Sequence, residues 1–412
     1  KLFVKNGNVN LKIKNAINSL LFVLIGFYFF TKMVFDRPAF TLIQNLSLIL
    51  IFGLTSLRVI LMKEFGNIIK ILPFFIILLF VILSNIIAKI FSYDFFLLIL
   101  ILLSSYLLFC SCERQDKYII FLLFVVLGYF IGFLVILIHY RKTIFSSIPF
   151  GFDQYFLNMD GLAFSLAILS CLSYVLWKML NKRKVFSFNN VLLLISAIAL
   201  IFVLKTQRIG SFLFVLLYFY ILFISWLHKK HPYISYIITI FLIFCFFILL
   251  FVPIENNFIE RIRASVFQII YPDLYLDGSV RERSFLLISN LIISLMCPLF
   301  GIGFDQYFNI SNTGSHSALG SVSVNYGLIS LIIIMLYIAL IMRKIKKDIN
   351  SNPFIYYFVI HTLFSFIYGT AFASRTYYFM FGVALFYLFN DNFMFEKQKE
   401  KADKEQFFKI EI

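Results

Sequence analysis

Charge is scarce in this chain: only 14% of its 412 residues are Asp, Glu, Lys or Arg, against 62% hydrophobic. With a mean hydropathy of +0.95, this excludes a soluble domain, whose core has no use for so much apolar surface. Short segments of alternating polarity are missing, and with them the pattern of a membrane β-barrel. The sequence also lacks a Walker loop, a dinucleotide fingerprint and any alignable internal repeat. Cysteine is sparse: Cys110, Cys112, Cys171, Cys245 and Cys297 include no pair in zinc-ligand or disulfide context, Cys110 and Cys112 forming a bare C-x-C. No Asp-x-Asp or comparable carboxylate cluster offers a divalent metal site, so neither metal nor cofactor is expected.

What fills the chain instead is apolar runs of roughly 17–25 residues, the length an α-helix needs to cross about 30 Å of hydrocarbon. Hydropathy predicts about twelve spans, centred near Phe27, Leu50, Ile77, Ile101, Leu127, Leu169, Ala197, Tyr218, Ile243, Leu331, Phe358 and Ala384. The expected fold is therefore all-α: a polytopic integral membrane protein with a large loop between helices 9 and 10. It divides into residues 1–252 (helices 1–9), 253–321 (the loop) and 322–412 (helices 10–12 and a tail).

The first run follows Lys1, Lys5, Lys12 and Lys14 and has no small-residue cleavage site, so it reads as a retained helix with both termini cytoplasmic. Every second connection carries basic residues: Lys63, Arg114 with Lys117, Lys182 to Lys184, Lys229 with Lys230, and the Arg343 to Lys347 cluster. That is the positive-inside pattern. The net charge of +16 then follows from topology and needs no nucleic-acid partner, although basic faces attract anionic lipid headgroups. The 56 Phe and 23 Tyr read as lipid-facing filler. Lys32 and Lys178 sit near helix ends, and the spans are otherwise expected to be nearly free of charge.

Connections assigned to the outside should be poor in basic residues, yet they hold Arg141 and Lys142, Lys205 and Arg208, Arg261, Arg263, Arg281 and Arg283, and Arg375. Most are arginine, whose planar fork suits phosphate and carboxylate oxygens. For Arg261, Arg263 and Arg281 the alternative is pairing with Glu255, Glu260, Asp273, Asp277 or Glu282. Around Arg208, the segment Thr206 to Ser211 offers no carboxylate. The ninth connection, near Pro253 to Val322, is too long for a hairpin link and reads as an ordered functional segment. Within it, Ser284 to Met296 is apolar enough for an interfacial helix and ends at Pro298 and the Gly301-Ile302-Gly303 turn. His316 follows, just before the tenth span.

Three stretches resemble the family of O-antigen ligases and O-antigen or capsular polysaccharide polymerases. Thr206-Gln207-Arg208 is similar to the family's Thr-x-x-Arg type of segment at a span boundary. Ser279 through Arg283 to Pro298-Leu299-Phe300-Gly301-Ile302-Gly303 is similar to its Arg, apolar helix and Pro-Gly pattern. His316-Ser317, then nine residues and Gly327, resembles its His motif; Ser330 departs where the family more often has Gly, Thr or Tyr. The resemblance covers roughly the second half of the chain.

It implies a GT-C-like membrane glycosyltransferase at the periplasmic face of a bacterial inner membrane. The donor would be an undecaprenyl-pyrophosphate-linked oligosaccharide and the acceptor a glycan hydroxyl, with a chain-length regulator or a flippase as protein partners. Departure of pyrophosphate concentrates negative charge that fixed guanidinium groups can stabilise. Arg208 and Arg283 are thus expected as catalytic clamps, with Arg281, Arg141, Arg375 and Gly303 in substrate binding. His316 is expected as general base, an imidazole being competent at neutral pH. The short interval from Gly303 to His316 favours a polymerase over a ligase; a lipid-linked sugar transporter is the rival from another class.

Overall fold

A backbone that enters lipid must satisfy its hydrogen bonds within the segment, and the helix is the local way to do so. In the computed structural model every hydropathy centre named above falls within a helix. The structure describes residues 2–34, 38–62, 68–88, 94–110, 115–141, 159–181, 189–206, 208–251, 260, 263, 289–290, 292–303, 318–345, 353–367 and 375–389. Among these no strand occurs. The helices are α1 (Leu2–Val34), α2 (Pro38–Met62), α3 (Leu72–Ala88, preceded by a 3-10 turn, Ile69–Ile71), α4 (Asp94–Cys110) and α5 (Gln115–His139). Then follow α6 (Met159–Asn181), α7 (Asn189–Lys205), α8 (Ile209–Lys230), α9 (Pro232–Phe251) and α10 (Ala318–Tyr326). The last are α11 (Leu328–Ile345), α12 (Pro353–Ile367) and α13 (Arg375–Phe389).

Among the described residues six stretches are long and apolar enough to cross a membrane, in α1, α2, the 3-10 turn with α3, α5, α6 and α8; α4, α7, α9, α12 and α13 supply shorter apolar helices. Their outward faces carry large apolar side chains in the open: Leu46, Leu50 and Leu57 on α2, Ile237, Phe241 and Phe244 on α9. Apolar surface on this scale needs a lipid solvent rather than water. The chain is an all-α membrane protein.

The centre of the bundle is α13, in which every residue from Thr376 to Tyr387 is buried. Its apolar circumference allows neighbours to pack on every side. It lies parallel to α4, at Gly382, where an added Cβ would collide with Ser105 and Leu102 of α4. Parallel packing through small residues recurs between α1 and α5: Gly128 abuts the carbonyl of Gly26, and Gly132 abuts Met33. Between helices in lipid, close backbone approach of this kind supplies dispersion energy that the hydrophobic effect does not. Antiparallel contacts complete the bundle. Ser170 of α6 and Ser196 of α7 donate to each other's carbonyls at 2.9 and 2.8 Å. Phe214 and Tyr218 of α8 meet His361 and Tyr357 of α12 at 5.0 and 5.9 Å between ring centroids.

One end of the bundle is tied by lysine. Lys344 Nζ donates to the carbonyls of Tyr387 and Leu388, both at 2.9 Å, and Lys70 Nζ reaches that of Phe389 at 3.5 Å. These ammonium groups satisfy the last carbonyls of α13 and oppose the negative end of its dipole. The expectation that the spans are nearly free of charge does not hold for α2: Arg58 lies inside its membrane-length stretch and is 1% exposed.

Candidate functional site

The ends of the helices sort the expected residues. Lys70, just before α3, and Lys344, near the end of α11, hold the C-terminus of α13, so Ser84 near the end of α3 and Leu328 at the start of α11 fall at the α13 N-terminal end. Arg375 is the first residue of α13. The end of α12 meets the same place, since Thr362 Oγ1 and Tyr377 Oη are 2.9 Å apart. Phe214 beside His361 and Phe364 brings the start of α8, and so Arg208, there too. At a rise of 1.5 Å per residue, Arg208 stands roughly 9 Å and Arg375 roughly 3 Å beyond the level of these contacts.

Arg141 follows α5 at this end, in an exposed turn. Tyr129 Oη of α5 meets Thr376 Oγ1 at 2.7 Å, which puts Arg141 roughly 18 Å farther along α5 than that contact. Arg141 therefore shares the end but not the level of Arg375. His316, Arg283 and Arg281 lie outside the described residues, as does most of the expected 253–321 loop.

Arg208 owes its place to a break between two helices. Thr206 turns back on α7, its N–H donating to Phe202 at 3.0 Å and its Oγ1 to Val203 at 2.7 Å. Arg208 then adopts an extended backbone (φ −94°, ψ 109°) as N-cap of α8, and its carbonyl accepts from Phe212 at 3.1 Å. An arginine side chain cannot accept hydrogen bonds, so it does not cap the first amide groups of α8. Those amides and the helix dipole present positive potential where the guanidinium is anchored. One turn in, the Ser211 hydroxyl is 1% exposed and has no hydrogen-bond partner among the described residues. Guanidinium and helix N-terminus thus bring positive potential together at this break.

The second and third matched stretches meet each other. Gly301 (φ 67°) and Gly303 (φ 90°) bend the chain after Pro298, and Gly327 (φ 89°) bends it between α10 and α11. Ile302 N–H donates to Val324 at 2.8 Å, Gly303 N–H to Asn325 at 3.1 Å and Leu328 N–H to Pro298 at 2.7 Å. A Cβ on Gly327 would strike the carbonyl of Leu299, and one on Gly301 the backbone of Val324 and Asn325. Glycine is thus required at both places for conformation and for room. The junction is tied to α3 through Ser84 Oγ donating to the Asn325 carbonyl at 2.9 Å, and Phe80 packs edge-on against Phe300 at 5.5 Å. Ser294 Oγ donates to Ser323 Oγ at 2.7 Å. Of the helix expected over Ser284 to Met296, residues 289–290 and 292–296 are described and are helical.

A polar layer that the expected site did not include lies within the bundle at α12. Tyr357 Oη and His361 Nδ1 are 3.3 Å apart, Ser365 Oγ donates to the His361 carbonyl at 2.6 Å, and His361 is 2% exposed. The signal was a histidine inside an apolar run, which in a membrane helix is costly and seldom idle. Arg58 carried the same signal. Among the described residues no group of three or more His, Cys, Asp or Glu side chains could hold a metal ion. No protein-family model matches the chain, and no curated protein matches it.

Proposed function

We propose that the chain is a polysaccharide polymerase that joins undecaprenyl-pyrophosphate-linked repeat units at the periplasmic face of a bacterial inner membrane. The observation that carries this reading is the weld between Pro298–Gly303 and the Val324–Leu328 corner, at the bundle end where Arg208 and Arg375 stand. Stretches picked out separately by resemblance are adjacent in space. In this reading the chain has about twelve spans with cytoplasmic termini, and the 253–321 loop is periplasmic.

An acceptor hydroxyl attacks the anomeric carbon of the lipid-linked sugar from the face opposite the leaving group. The new C–O bond forms as the bond to pyrophosphate breaks, the electron pair leaves on pyrophosphate, and the configuration inverts. Arg208, supported by the α8 N-terminus and Ser211, binds the leaving group together with Arg283, while Arg281, Arg375 and Arg141 draw the anionic lipid toward the site. His316 takes the proton of the attacking hydroxyl. Transfer to lipid A core instead of a second lipid-linked glycan would use the same groups and make the protein a ligase.

A second reading, a lipid-linked sugar transporter, draws support from Arg58 and the His361 layer, since transporters place polar groups within the bundle. Reconstitution into liposomes with the lipid-linked repeat unit as sole substrate separates the three. Multiples of the repeat mark a polymerase, transfer only on adding lipid A core marks a ligase, and passage across the bilayer without bond formation marks a transporter.

A further inference from the structure

At the end of α8 opposite Arg208, roughly 33 Å away at 1.5 Å per residue, the chain turns sharply into α9. Lys230 ends one helix, Pro232 begins the next, and His231 alone links them. The corner is held from within. His231 N–H donates to the Leu227 carbonyl at 2.7 Å, Ser235 Oγ donates to that of Pro232 at 2.6 Å, and His228 Nδ1 lies 3.0 Å from Ser235 Oγ. His228, Lys229, Lys230 and His231 are all exposed on it.

Three features separate this corner from an ordinary solvated basic turn. From Asp160 to Glu255 the sequence contains no other carboxylate, so this part of the chain supplies no internal counter-ion for its cations. Lys230 Nζ is held over the Trp226 ring, 4.7 Å from its centroid, which limits the rotamer entropy the ammonium loses on binding. Trp226 is 52% and Tyr233 82% exposed, and indole and phenol are the rings that favour the headgroup level of a bilayer. Cations on a fixed corner, flanked by interfacial aromatics and in excess over acids, complement a phosphodiester at the membrane surface.

We infer that the α8–α9 corner is a binding site for the phosphate headgroup of an anionic phospholipid, separate from the arginine end of the bundle. Lys229 and Lys230 pair with the phosphodiester, Trp226 and Tyr233 lie against the glycerol and upper acyl region, and the exposed apolar face of α9 receives the chains. The site does not depend on which reaction the other end performs.

Titration of the purified full-length protein with phosphatidylglycerol and, separately, phosphatidylcholine, read by native mass spectrometry, tests this. Wild type is expected to bind phosphatidylglycerol at least about tenfold more tightly. Lys229→Gln/Lys230→Gln removes roughly tenfold to thirtyfold of that affinity at about 1 kcal/mol per lysine near a membrane surface, and leaves phosphatidylcholine binding unchanged; Lys229→Arg/Lys230→Arg retains the preference. Both side chains are exposed, and Lys230→Gln alone, with a loss of about fivefold, carries the test if the double variant unfolds. Equal affinity of wild type for the two lipids, or undiminished phosphatidylglycerol binding by the Gln variants, overturns the proposal.

Discussion

Gly327 lies so close to Leu299 that a Cβ at position 327 would overlap the Leu299 carbonyl, and the adjacent Leu328 N–H donates to Pro298 at 2.7 Å. This contact fixes the angle at which the segment before the expected His316 meets the helix after it. Gly327 also holds a φ of 89°, a region that side-chain-bearing residues adopt only at a cost. Gly327→Ala should therefore destabilise the protein by about 2–4 kcal/mol, combining backbone strain with overpacking. Gly53→Ala should do the reverse: nothing lies within 4 Å of a Cβ there, and alanine in a helix interior gains about 0.5–1 kcal/mol over glycine. Thermal unfolding of the two variants in detergent, compared with wild type, reads both signs.

The α1–α5 contact makes a second, independent demand. Gly128 abuts the Gly26 carbonyl, and Phe22 stacks with Phe124 at 6.1 Å one turn away. Gly128→Val would push these parallel helices apart and forfeit the dispersion contacts along their length. The expected result is a loss of about 1–3 kcal/mol, seen as a lower unfolding temperature and faster proteolysis in the membrane.

Hydropathy located the helices well because in lipid the length of an apolar run and the length of a helix are set by the same bilayer thickness. It could not say which helix is central. The α13 sequence is no more apolar than that of α9, yet α13 is enclosed from Thr376 to Tyr387 whereas α9 is exposed along most of its length. That difference arises from partners distant in sequence. The turn at Gly301 and Gly303 was legible because glycine after proline marks a bend, but its docking on Asn325 was not. Arg58 stood in plain view among Leu, Val and Ile, but that it is buried and not turned to the membrane surface depends on the helices packed around α2.

At the break between α7 and α8, Arg208 contributes charge on top of the helix N-terminus, and the two effects can be separated by substitution. Arg208→Ala should lower the rate of transfer from a lipid-linked pyrophosphate donor roughly 100- to 1,000-fold, the range for removing a group that stabilises developing negative charge. Arg208→Lys should recover part of it, because an ammonium keeps the charge and loses the bidentate fork. Single-turnover rates with saturating donor distinguish this from a loss of binding alone.

Arg58 separates the two functional readings. In a glycosyltransferase it lies in a helix away from the chemistry, so Arg58→Leu should reduce the yield of folded protein and leave the transfer rate per folded molecule within about twofold, a change under 0.5 kcal/mol. In a transporter, a buried guanidinium within a span belongs to the pathway, and the same substitution should abolish translocation in protein that still folds. Active-site titration alongside the rate measurement gives the folded fraction.

The most direct test is the product ladder made by purified protein in liposomes from the lipid-linked repeat unit alone, compared across wild type, His316→Ala and Arg283→Ala. The polymerase reading predicts a ladder of multiples in wild type and its loss in both variants, with each variant inserted and folded as wild type is. A wild-type protein that makes no ladder, or variants that make it at the wild-type rate, would contradict that reading.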